Sequence, residues 1–200
     1  MPIERTELIL LLTGLVLYTL LALLYPVLMP VNIWARRQVA ATRNLRWRPL
    51  MILTHRYNDV IFLSLQVLLL ALLIGWLWQD WRRAMVLTST MFVQTTIVSL
   101  SKRLSSITRP PQLISHVIMT SSSYPSGHSA ASLTFALLVP QVLQPFLPPV
   151  VLWLITIYLT AVALLTAYGR LYLDVHWLSD IIGGWLLSGM TLILSRMFLS

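Results

Sequence analysis

Three groups of residues in the C-terminal half combine types and spacings that suit phosphate chemistry. His176 and Asp180 are four apart, so on a helical turn the carboxylate can accept the imidazole Nδ1–H and leave Nε2 unprotonated and aimed away from it. That is how a histidine is prepared as a nucleophile. Gly169-Arg170 precede this pair in the same stretch. Pro125-Ser126-Gly127-His128 stands directly before an apolar run. A helix starting there turns unpaired N–H groups and the positive end of its dipole outward, and Gly127 lets an anion approach the backbone closely. Lys102 and Arg109 are seven apart, close to two helical turns, so both cations are expected on one face at a helix end, with Pro110 breaking the chain out of it. Arginine grips two phosphate oxygens at once, and lysine adds a compact charge.

Each group alone has a plain explanation. Lys102 and Arg109 fit a basic helix end at a membrane surface, Ser126 an ordinary N-cap with His128 as an interfacial side chain, and His176 with Asp180 a pair at a helix start. What argues for chemistry is that all three fall in loops expected on one side of the same bundle.

The elements that must position them are membrane helices. The 200 residues are 58% hydrophobic and 10% charged, which is too apolar for a water-soluble domain of this size. A spanning helix needs roughly 20 mostly apolar residues. Six stretches are expected to cross, at residues 8–29, 60–78, 84–100, 129–142, 150–168 and 181–199, with Pro140 and Pro145 kinking or ending the fourth. The expectation is therefore an all-α, integral-membrane bundle of six transmembrane helices forming a single domain over residues 1–200. The first stretch is too long for a signal-peptide core, and Glu4 and Glu7 spoil a basic leader. With alternating spans, the loops at residues 30–59, 101–128 and 169–180 emerge on one side, so one site can be built from them.

Taken together, the three stretches Lys102 to Pro110, Pro125 to His128 and Arg170 to Asp180 closely resemble the type 2 phosphatidic acid phosphatase superfamily, whose soluble relatives include acid phosphatases and vanadium haloperoxidases. The resemblance implies that His176 attacks phosphorus and becomes a phosphohistidine, oriented by Asp180. It implies that His128 protonates the leaving lipid oxygen and then activates water. Lys102, Arg109, Ser126, Gly127 and Arg170 would hold the equatorial oxygens. One departure is Gly169, where the family usually has serine before the arginine. It removes a possible hydroxyl donor but no reacting group.

Of the six acidic residues, only Asp174 and Asp180 are expected near these groups, so a magnesium site is not supported and neither metal nor cofactor is expected. Cysteine is absent, which excludes disulfides and thiolate metal sites. Six arginines, Arg36, Arg37, Arg43, Arg46, Arg48 and Arg56, follow the first span. Residues 32–47 can lie there as an amphipathic helix on anionic headgroups or form a solvated basic loop. Nucleic-acid binding is excluded, because no soluble module remains to carry the patch.

Among the other polar residues, His55 and Asp59 read as an interfacial pair, His116 as a solvated loop histidine and Arg103 as facing headgroups. Asp174 is left between tuning His176 and binding a headgroup.

The expected partners are membrane lipids and a lipid phosphate substrate such as undecaprenyl diphosphate, phosphatidic acid or phosphatidylglycerol phosphate. A lipid phosphotransferase with the same site and a non-catalytic lipid-binding protein are the alternatives. Outside the candidate ligands, seven basic residues lie on the site side and four on the other, which leans toward a cytoplasmic site. The family resemblance implies the periplasmic or outer face of the plasma membrane, and that placement is the expectation carried forward.

Overall fold

The computed structural model describes residues 4–116 and 118–199, and among them helices are the only regular elements. In chain order they are α1 (Arg5–Leu23), α2 (Tyr25–Thr42), a 3-10 turn at Leu45–Trp47, α3 (Arg48–Tyr57), α4 (Val60–Leu77), α5 (Trp81–Ser105), α6 (Gly127–Leu143), α7 (Pro149–Tyr172) and α8 (Leu178–Leu199). Large apolar side chains such as Ile61, Phe92 and Trp153 stand on the outside, as they must where hydrocarbon is the solvent. The chain is a multi-pass membrane protein.

The count of six spans needs correction. Five helices, α1, α4, α5, α7 and α8, are long and apolar enough to cross a bilayer. The sixth expected span, α6, has 17 residues. It packs against α5, α7 and α8, and its Ala130, Ala136, Leu138 and Val142 are completely buried. A helix enclosed by its neighbours need not match the lipid thickness on its own. Pro140 lies inside α6 without ending it.

The first expected span also changes. α1 stops at Leu23, and α2 opens at Tyr25 with a proline in its first turn, where the missing N–H would have had no partner anyway. The amphipathic helix expected over residues 32–47 is therefore α2, earlier by several residues. Its Asn32 and Ala35 are buried against the bundle.

Lipid tails are as apolar as leucine, so these helices associate through close packing and polar contacts rather than hydrophobic burial. The α6·α8 seam illustrates both. A Cβ on Gly184 would come within 2.8 Å of the Ser126 carbonyl oxygen, and one on Gly183 within 2.4 Å of the Tyr124 ring. Two glycines thus let the chain around residues 124–130 lie directly on α8. The Ala130 carbonyl accepts from Ser188 Oγ at 2.8 Å and from Gln94 Nε2 at 3.2 Å, which pins α5, α6 and α8 together beneath the loops.

Candidate active site

His176 sits in the turn between α7 and α8, one residue before Trp177, whose backbone N–H donates to Asp180 Oδ2 at 2.8 Å. Asp180 is thus held in the first turn of α8 by its own helix start. The same Oδ2 lies 3.2 Å from His176 Nδ1. Ser123 Oγ donates to it at 2.5 Å and is 3.5 Å from Nδ1. The tautomer that satisfies this arrangement carries its proton on Nδ1 and leaves the Nε2 lone pair free to accept. Arg109 Nη1 stands 3.2 Å from Nε2. Burial, followed by the charges of Arg170, Lys102 and Arg109, lowers the His176 pKa well below its ordinary 6.5, so the ring is neutral at neutral pH.

Arg109 does not reach this place along a helix face. α5 ends at Ser105, and Ser106 adopts a left-handed conformation with φ 48°, so the chain leaves the helix three residues before Arg109. The loop then folds back. Ser123 N donates to the Ile107 carbonyl at 2.8 Å, Trp177 Nε1 to the Thr108 carbonyl at 2.8 Å and Arg109 Nη1 to the Val175 carbonyl at 2.6 Å. Lys102, still on α5, donates to the Ser122 carbonyl at 2.8 Å. Tertiary hydrogen bonds, rather than a shared helix face, bring the two cations together.

His128 occupies the first turn of α6, where Ser126 is the N-cap and its side chain accepts from Ser129 N. Lys102, Arg109, Gly127, His128 and His176 line one cavity of about 720 Å3. The cavity continues between α4 and α5 along Leu63, Val67, Met91 and Phe92, so a polar end meets an apolar groove. Ser126, Arg170 and Asp180 do not line it. The Ser126 hydroxyl is engaged with Ser129 Oγ at 2.9 Å, and its backbone N–H goes to the Asp180 carbonyl at 3.0 Å. Ser126 therefore ties α6 to α8 instead of offering a free donor. Arg170 is buried on α7, and its Nη1 is hydrogen-bonded to His55 Nδ1. Its Nε and Nη2 have no hydrogen-bond partner among the described residues.

Several sequence readings change here. His55 and Asp59 are not an interfacial pair: His55 is buried and stacks on His128, with ring centroids 4.4 Å apart. Asp59 lines the cavity and lies 3.9 Å from His128 Nε2, so a third acidic residue stands near the site. The α3·α4 turn brings both back under α6, which spacing along the chain does not reveal. His116 is not a solvated side chain, because it packs edge-on against His55 at 4.7 Å. Asp174 is paired within the protein, with Arg36 Nε at 3.0 Å and Arg43 Nη2 at 3.2 Å, so it binds α2 rather than a headgroup. Arg103 is exposed.

Ser123 was missed by sequence reading, its only signal being the polar run Ser121 to Ser123. Asn32 was missed as well: it exchanges two hydrogen bonds with Ser179, both 3.0 Å, and so docks α2 on the start of α8. Among the described residues no group of three or more His, Cys, Asp or Glu could hold a metal ion.

Two solved structures share this architecture. One is the PAP2-type phosphatidylglycerolphosphate phosphatase of Bacillus subtilis, with a TM-score of 0.83 and 19% identity over 98% of this chain and 96% of that one. The other is LpxE of Aquifex aeolicus, with a TM-score of 0.65 and 19% identity over 84% of this chain and 95% of that one. No curated protein matches the sequence at a significant level. The PAP2 superfamily family model matches residues 83–199, a span that contains all three stretches from Lys102 to Asp180, and on that match the chain belongs to the PAP2 superfamily.

Proposed function

We propose that this PAP2-superfamily phosphatase hydrolyses a lipid phosphate or diphosphate at the membrane surface, without metal, through a phosphohistidine on His176. The observation that carries the reading is that His128 and His176 line one cavity with Lys102 and Arg109, and that this cavity runs on into an apolar groove. A headgroup phosphate fits the cationic end, and the attached chains fit the groove.

In the first step the Nε2 lone pair of His176 attacks phosphorus, the N–P bond forms and the bond from phosphorus to the lipid oxygen breaks. His128 delivers a proton to that oxygen, so the lipid alcohol, or the lipid monophosphate when a diphosphate is cleaved, leaves neutralised. Asp180 stabilises the charge on the His176 ring while the N–P bond exists. Lys102, Arg109 and the Gly127 N–H take the charge on the equatorial oxygens, and Arg170 contributes its two unpartnered donors, Nε and Nη2, to the same charge. An entering phosphoryl group takes over the Arg109 donor that otherwise faces Nε2. In the second step His128 removes a proton from water, the oxygen attacks phosphorus, the N–P bond breaks and inorganic phosphate is released. A ring of fixed cations replaces a metal as the charge sink.

Phosphatidylglycerol phosphate, phosphatidic acid and undecaprenyl diphosphate all present this chemistry, and the first is the substrate class named for the Bacillus subtilis neighbour. The site is assigned to the periplasmic or outer face of the plasma membrane. The deciding experiment is phosphate release from this lipid panel by purified protein with EDTA present. Release from at least one lipid, abolished by His176→Ala in a folded protein, supports the reading; release that survives His176→Ala overturns it. For the face, Thr120 is exposed, and the chain has no native cysteine. Thr120→Cys should be labelled by an impermeant thiol reagent in intact cells, and labelling only after lysis would place the site inside.

A further inference from the structure

His55 lies on α3, outside the three phosphate-chemistry stretches and outside the residues matched by the family. It nevertheless touches two of the groups on which the proposed reaction depends. Its Nδ1 is bonded to Arg170 Nη1. Its ring lies on that of His128 at 4.4 Å and 20°, and His116 closes over it edge-on at 76°. α3 reaches this position by packing on α7. A Cβ on Gly169 would face it, 3.4 Å from Thr54 Oγ1 and 3.5 Å from Met51 Sδ.

The chemistry of the contact is one-sided. A guanidinium donates only, so His55 must accept through an unprotonated Nδ1. Burial and then the Arg170 charge lower its pKa to about 4, which keeps that lone pair available at neutral pH. The other charged or titratable groups around it are His116, Asp59 and Arg56, with His128 stacked on its face. Because the guanidinium is planar, anchoring one nitrogen sets the plane of the whole fork, whose Nε and Nη2 remain without a hydrogen-bond partner among the described residues. A neutral ring against His128 also adds no charge against the proton that histidine must deliver, as a cation in the same place would.

We propose that His55 is a positioning residue for phosphoryl transfer, holding the Arg170 fork and the His128 ring in the geometry the transition state requires. The proposal rests on the roles assigned above to Arg170 and His128.

The test uses the full chain in detergent with dioctanoyl phosphatidic acid as probe. His55→Phe keeps a stacking ring and removes the acceptor. It should lower kcat by about tenfold or more while KM moves by no more than about threefold, beyond the fall of a few degrees in melting temperature that an unpaired buried Arg170 donor brings. His55→Asn places a carbonyl oxygen close to the position of Nδ1 and should recover most of that loss. In an Arg170→Ala background, His55→Phe should cost almost nothing further. A wild-type kcat in His55→Phe, losses that multiply with Arg170→Ala, or activity that only follows melting temperature through the series would overturn the proposal. If His55→Phe does not fold, His55→Asn against His55→Gln decides: the glutamine oxygen stands one bond further out, so equal recovery by both counts against positioning. His176→Ala run alongside separates the two levels. Its inactivity next to a fully active His55→Phe sinks only this inference, whereas its full activity sinks the catalytic reading itself.

Discussion

His128 and His176 line the same cavity and live in opposite surroundings. His176 is held on both sides: Asp180 and Ser123 surround its Nδ1, and Arg109 faces its Nε2. His128 has a stacking partner, while its Nε2 has no hydrogen-bond partner among the described residues and its nearest carboxylate, Asp59, is 3.9 Å away. A nucleophile gains from a fixed lone pair and a carboxylate that stabilises the positive charge it acquires. An acid that must bond first to a leaving oxygen and then to water gains from an uncommitted nitrogen. The asymmetry is what the proposed two-step transfer asks of two otherwise identical side chains.

The comparison can be broken at its strongest point first. His176→Ala should lower phosphate release by at least about 10^4-fold, since the proposed covalent intermediate forms on that ring. Asp180→Asn should follow at roughly 10^3 to 10^4, because an amide favours the wrong tautomer at His176. His128→Ala should cost about 10^2 to 10^4 with a lipid substrate. With p-nitrophenyl phosphate, whose leaving group needs no proton, that loss should shrink while the His176→Ala loss persists. An equal loss on both substrates would remove the division of labour. Ser123→Ala should cost about tenfold in kcat, the worth of one hydrogen bond to a charged group. It should leave the His128 side untouched, so that it combines multiplicatively with Asp59→Asn.

The pH dependence sharpens the same contrast. Because the His176 pKa is lowered, the neutral nucleophile persists below pH 6.5. The acid limb of kcat/KM should fall below that value, and the rate should decline again at higher pH, once His128 has lost its proton, giving a bell. A monotonic profile from pH 4 to 9 with chemistry rate-limiting contradicts the paired roles. Stability gives the smallest effect. His55 has a folded pKa near 4 against 6.5 unfolded, so between those values the unfolded chain binds a proton that the folded chain does not. Its contribution is complete above pH 6.5 and is lost as pH falls toward 4. His55→Asn should flatten the decline of melting temperature across that window.

Much of the candidate site's local geometry was legible in the sequence because it is written in short stretches. His176 and Asp180 are four residues apart and one helix start joins them, and Pro125 to His128 marks the opening of α6 by local N-cap rules. The apolar stretches likewise announced helices at α4, α5, α7 and α8 within a few residues of their ends. Where the reading failed, the deciding contacts span the chain. The α5 helix stops at Ser105, so Lys102 and Arg109 meet through loop hydrogen bonds rather than by two turns of periodicity. His55 and Asp59 looked like each other's partners at four residues' separation, yet they face Arg170 and His128 respectively.

Residue types and local spacing by themselves determined that the chain is a helical membrane protein with a histidine, a carboxylate and a set of cations suited to phosphate, because burial in lipid and helix-start chemistry act over a few residues. Only the tertiary structure decided which groups stand beside which: Ser123 on Asp180, Asn32 on Ser179, Arg36 and Arg43 on Asp174, His55 between Arg170 and His128. Those pairings depend on the close approach that Gly183 and Gly184 allow between α6 and α8, and on α2 and α3 folding back over α7 and α8. Such distances are set by packing between helices far apart in the chain, for which local sequence carries no signal.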